Sequence, residues 1–144
     1  SYLGDLRGAV VLYDRCITIY ERLVEQEGRS ELANDLTKAY MNKANAFSAL
    51  GDLRAAVGLY DRCIAILQRM VEQEGRSELV SHLAWAELLR AEDILQLDAM
   101  NSVERGRTKA AFDILTREAQ RTGRDDLRRV VSQASAMLGT VLQG

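Results

Sequence analysis

Apolar side chains in this chain recur at three- and four-residue steps within segments of about twenty residues, and glycines separate the segments. Gly28, Gly51, Gly75 and Gly123, with Gly4 near the start, mark the breaks. The pattern predicts six helices, at about 5–27, 30–49, 52–74, 77–97, 101–121 and 125–142. Asp5 and Asp52 each follow a glycine and precede an apolar-periodic run, the place of a residue that accepts from the first unpaired helix N–H groups. Ser30 and Ser77 hold the same place after Gly-Arg, with Glu31 and Glu78 beside the positive helix start. Gly28 and Gly75 suit the left-handed residue that closes a helix, and Asn101 with Glu104 resembles a capping box. Connections this short make neighbouring helices antiparallel. A hairpin of two such helices cannot cover its own apolar stripe, so it must stack on the next one. The expected fold class is all-α, an α-solenoid of stacked antiparallel hairpins.

A duplication supports that reading. Residues 3–32 and 50–79 lie 47 positions apart and agree at 24 of 30 positions, differing only at 8/55, 11/58, 18/65, 20/67, 21/68 and 23/70. A fainter third copy, Thr122-Gly123-Arg124-Asp125-Asp126-Leu127, aligns with Glu27 to Leu32 and with Glu74 to Leu79. A fixed period of this size is the signature of a repeat array. The organisation it implies is a half repeat over 1–29, a repeat over 30–76, a degenerate repeat over 77–124 and a terminal helix over 125–144. Tyr2-Leu3-Gly4 corresponds to Ala49-Leu50-Gly51, in the middle of a repeat. That register predicts a segment of a longer protein, one that self-associates through its incomplete repeat ends.

Composition narrows the classes. The chain contains no proline, and 19 basic against 21 acidic residues leave a net charge of −2, too neutral to imply a polyanionic partner. No apolar run approaches the roughly 18 residues needed to cross a bilayer, and no secretory signal opens the chain, so a cytoplasmic protein is expected. Cys16 and Cys63 occupy equivalent repeat positions between apolar neighbours, too far apart for a disulfide by the spacing of packed helices. Both are expected buried and reduced. His82 is the lone histidine and stands outside any metal-ligand or nucleophile–base spacing. No catalytic residue, metal site or cofactor is expected.

Residues 38–64 resemble the tetratricopeptide repeat. Tyr40, Ala44 and Phe47 match the aromatic, small, aromatic steps of that family's first helix, Gly51 its turn, and Ala56, Tyr60 and Cys63 the small, aromatic, small steps of its second. Gly4, Ala9, Tyr13 and Cys16 repeat the second half. The departures are Lys43 in a usually apolar place, a missing terminal proline and a period longer than the family's, which implies extra helical turns. In the third hairpin Ala91 and Ile94 still match, but Glu87 stands where Tyr40 stood and the second helix has lost the motif.

The resemblance implies an interaction scaffold whose concave face, built from the first helix of each hairpin, holds a protein or peptide ligand. The matching positions are Lys38, Met41, Asn42 and Asn45 on one helix, and Trp85, Leu88, Leu89 and Glu92 on the next. Amide side chains can pair with both the N–H and the C=O of a bound backbone, and a groove tryptophan is a frequent hot spot. Both asparagines are expected to point off the hairpin core. The family is often fused to enzymes, so the alternative is the regulatory arm of a larger caspase-like protease or signalling ATPase. A weaker alternative concerns residues 105–129, whose eight basic residues face four acids and leave the remainder at −6. That stripe could touch nucleic acid, but no aromatics are interleaved for base stacking and a solvated, ion-paired face fits it better.

Overall fold

The computed structural model describes residues 1–143. It is all-α, and no strand occurs among the described residues. Six helices follow one another: α1 (Tyr2–Glu21), α2 (Ala33–Ala49), α3 (Leu53–Glu72), α4 (Val80–Gln96), α5 (Ser102–Thr122) and α6 (Asp125–Gln143). A π-helical turn, Arg22–Gln26, prolongs α1, and 3-10 turns at Ser30–Leu32 and Ser77–Leu79 lead into α2 and α4. The chain divides into two compact units, Ser1–Leu67 and Gln68–Gly144, with α3 contributing to both.

Local signals decide most helix ends. Asp52 Oδ1 accepts from the Ala55 amide at 3.3 Å, and Asn101 Oδ1 accepts from that of Glu104 at 2.9 Å. Only half of the capping box forms, because the Glu104 carboxylate turns to Arg90 instead. Three expected boundaries need correction. Gly4 and Asp5 lie inside α1, whose cap is Ser1 with its hydroxyl accepting from the Gly4 amide at 3.1 Å. Ser30 and Ser77 start 3-10 turns, and no side chain caps α2 or α4. The interposed turn moves each α-helix start three residues past its serine, out of side-chain reach.

The turn after α2 needs a left-handed residue, and Gly51 supplies it at φ 87°. The Asp52 amide then reaches back to the Phe47 carbonyl at 2.9 Å, closing a Schellman turn. The turn after α4 closes the same way, Ala99 N to Ile94 O at 3.0 Å, but with Asp98 in the left-handed place at φ 56°. Asp is among the few side chains that tolerate this region.

In the first unit α2 packs against α1 and α3. Leu36, Ala44, Ala56, Tyr60, Cys63 and Leu67 lose nearly all their exposure there. The small residues let the helices approach, and the aromatic fills the gap between them. Lys43, which breaks the family's apolar pattern, reaches Asp14 of α1 at 2.6 Å and lies over the Phe47 ring at 5.7 Å. Its stem packs while its charge is paired.

In the second unit α4, α5 and α6 share one core built on Leu88, Ala91, Leu115, Leu127 and Leu138. Burial in α5 follows α3 at an offset of 48, with Ala111 and Leu115 answering to Cys63 and Leu67. The one-residue slip comes from the longer turn before α5. Backbone angles at Leu138 (φ −112°, ψ 15°) kink α6.

Cys63 is buried as expected, but Cys16 is exposed. The reason is the covering helix. Cys63 Sγ lies 3.6 Å from the Thr37 carbonyl of α2, whereas the equivalent face of α1 has no helix over it.

Candidate partner-binding surface

The residues expected to bind a ligand lie on α2 in the first unit and on α4 in the second. On α2, Lys38, Asn42 and Asn45 are exposed and Met41 is half-buried. They recur at three- and four-residue steps, so they share one side of the helix. Asn45 is not pointed away from the hairpin. Its Oδ1 accepts from the Tyr60 hydroxyl at 2.6 Å, which leaves its amide nitrogen as the outward donor. Replacing Asn45 would therefore disturb a core aromatic, whereas Asn42 can be changed without that cost.

On α4, Trp85, Leu89 and Glu92 are half-buried, and Leu88 belongs to the core at 1% exposure. Trp85 packs against that core with part of its ring surface open. Burial pushes the Glu92 carboxyl up to about 7, and the neighbouring Asp93 adds like-charge repulsion. The folded chain thus retains a proton that the unfolded chain releases near 4.5. More protons bound when folded means that stability falls as pH rises from about 4.5 to 7. Glu92→Gln is expected to flatten that slope. Thermal midpoints of both proteins across the window check this, and parallel curves would refute it.

Two notches flank these helices. In the first unit Glu21, Glu25, Gln26, Tyr40, Arg62, Ala65 and Ile66 line a polar hollow of about 430 Å³. Tyr40 donates its hydroxyl to Glu21 at its floor, and burial together with that carboxylate pushes the phenol up to about 12. In the second unit a smaller, apolar hollow of about 210 Å³ is lined by Val80, Leu83, Ala84, Ala110 and Ile114, with Glu87 and Arg107 on its wall.

The third hairpin, α4 with α5, lost the sequence motif for a reason the structure makes plain. Glu87 and Arg90 of α4 occupy the places of Tyr40 and Lys43, and Glu104 and Arg107 of α5 those of Ala56 and Leu59. Arg107 binds the Glu87 carboxylate with two nitrogens, at 2.5 and 3.0 Å, and Arg90 grips Glu104 in the same forked way. The Arg90 guanidinium holds the Glu104 carboxyl below the usual carboxylate range. Two crossed ion pairs thus replace an aromatic-and-small seam. The 47-residue period marks Glu87 but not Arg107, since only a register shifted by one residue brings Arg107 opposite it.

The basic stripe is laced with ion pairs. Arg121 pairs with Glu118, Arg124 with Asp126 and Arg128 with Asp125, all at the exposed surface where such pairs contribute little stability. Among the described residues no group of three or more His, Cys, Asp or Glu is placed to hold a metal ion. No helix among them is long and apolar enough to cross a membrane.

No curated protein and no solved structure matches the chain. A family model described as tetratricopeptide repeat matches residues 36–75, the stretch that holds α2, its Gly51 turn and α3. Of the small and aromatic residues that carried the resemblance, Tyr40, Ala44, Ala56, Tyr60 and Cys63 are buried in that hairpin and Phe47 is half-buried, and residues 36–75 are a tetratricopeptide repeat, a module of protein-interaction scaffolds.

Proposed function

We propose that the chain binds a protein partner by taking an extended or helical peptide on the outer side of α2, through Lys38, Met41, Asn42 and the outward amide of Asn45. Trp85, Leu89 and Glu92 are the corresponding positions of the second unit. The observation that carries this reading is that the helix inside the matched repeat keeps a lysine and an asparagine in solvent beside a half-buried methionine. That mixture offers a backbone-pairing amide, a charge and an adaptable apolar contact in one place.

A displayed peptide library selected on the chain tests it. Lys38→Ala with Asn42→Ala removes one charged contact and one amide. A lost neutral hydrogen bond is worth about 0.5–1.5 kcal/mol and one to a charged group more, so selected peptides are expected to bind about tenfold or more weaker. Arg124→Ala, Arg128→Ala and Arg129→Ala together are expected to leave that affinity unchanged at low and high salt. Peptides that ignore the α2 pair and follow the arginines would overturn the assignment.

A further inference from the structure

The hollows of the two units occupy one place in the repeat. Glu21, Tyr40, Arg62 and Ile66 line the first, and Gln68, Glu87, Ala110 and Ile114, their equivalents at offsets of 47 and 48, line the second. The exchanges strip charge from the second hollow, since Gln68 replaces a carboxylate and Ala110 a guanidinium. Its apolar wall is also less covered. Ala33 and Leu36 of α2 are buried at 2% and 0%, whereas Val80 and Leu83, in the same places on α4, are half-buried and line the hollow. Every residue around it belongs to the second unit, and none of Trp85, Leu89 and Glu92 is among them.

Size and charge narrow what fits. At about 210 Å³ the hollow exceeds the roughly 150 Å³ apolar cavity that takes up benzene, so it has room for one ring and little more. The charges on its wall cancel, because Glu87 and Arg107 grip each other in a fork. An entering ion would therefore meet no unmatched counter-charge, and an uncharged group is favoured. The fork also fixes the plane of the Arg107 guanidinium, and 35% of that side chain stays exposed. A planar ring stacks on such a face, whereas a branched aliphatic group gains no comparable contact. Gln68 is exposed at the edge, and its side-chain amide can pair with the N–H and C=O of a peptide that carries the ring.

We infer that this hollow is an anchor pocket for one phenylalanine side chain of a partner protein. The ring lies on Leu83, Ile114 and the Arg107 guanidinium, and the backbone beside it pairs with Gln68. A single aromatic seated in a fitted pocket is the kind of contact that dominates an interface. The pocket is separate from the α2 surface and does not depend on it.

The test titrates the methyl-labelled full chain with N-acetyl-phenylalanine amide, its leucine, glutamate and lysine counterparts, and toluene. Methyl resonances of Val80, Leu83 and Ile114 report occupancy. The capped phenylalanine is expected to shift them saturably and to bind several-fold tighter than capped leucine or toluene. Capped glutamate and lysine should leave them unmoved. Ala110 is an exposed helix position, so Ala110→Arg, which installs the residue of the first unit, should keep the fold and abolish the shifts. Gln68→Ala should bring capped phenylalanine down to the affinity of toluene. Lys38→Ala with Asn42→Ala should change none of this, so the pocket and the α2 surface stand or fall separately. The inference is overturned by the absence of a saturable shift, by leucine or a charged probe binding as tightly as phenylalanine, or by shifts that survive Ala110→Arg. Toluene matching the capped amino acid, or Gln68→Ala without effect, overturns the peptide-borne ring.

Discussion

Tyr60→Ala lowers the unfolding free energy by about 3–5 kcal/mol, the usual loss for a buried aromatic truncated to alanine. The ring is 2% exposed, and its hydroxyl holds Asn45, so the variant loses packing and a hydrogen bond together. Ala56→Leu presses three extra carbons into a site with no exposure and costs about 1–3 kcal/mol. The duplication supplies an internal control. Tyr13 is the same residue in the earlier copy but only half-buried, so Tyr13→Ala should cost clearly less than Tyr60→Ala. Urea unfolding of the three variants at a concentration too low for association reads the difference. Unchanged midpoints for Tyr60→Ala and Ala56→Leu would mean that the repeat alignment is wrong.

The contrast between Tyr13 and Tyr60 shows what could be read from the sequence. Helix positions were legible because periodicity and turn glycines are local, and Gly28, Gly51, Gly75 and Gly123 all take positive φ. The matched repeat was legible because its small and aromatic residues sit at fixed steps along two helices. Burial was not, because it depends on a partner element. Cys16 and Cys63 have nearly identical neighbours in sequence, and only one has a helix over it. The serine caps failed over a single 3-10 turn, a difference of one hydrogen bond that composition does not encode.

The candidate surface was legible to the extent that helix geometry alone fixes it. Lys38 and Asn42 lie in solvent on one side of α2 as their spacing demands. The engagement of Asn45 depends on Tyr60, fifteen residues away on another helix, and no spacing rule within α2 could announce it. The same holds for Glu87, which stands in place of an aromatic in the sequence and whose partner Arg107 lies twenty residues away on another helix.

Arg107→Leu should cost roughly 3 kcal/mol, because it leaves the Glu87 carboxylate, 10% exposed, without its forked partner. The value falls at the lower end for buried pairs because Arg107 itself keeps 35% of its side-chain exposure. Glu87→Tyr alone should also destabilise, since it removes the acceptor of two charge-assisted bonds. Made together, the two changes restore the tyrosine and leucine of the α2–α3 hairpin. The double variant should lie within about 1 kcal/mol of the parent or above it, since well-packed apolar replacements of a buried ion pair are often neutral or stabilising. The signature is a coupling of at least roughly 2–3 kcal/mol in a double-mutant cycle followed by thermal or urea unfolding. Additive losses would show that the two side chains act separately, and that the α4–α5 hairpin is not the α2–α3 hairpin with its seam exchanged for charge.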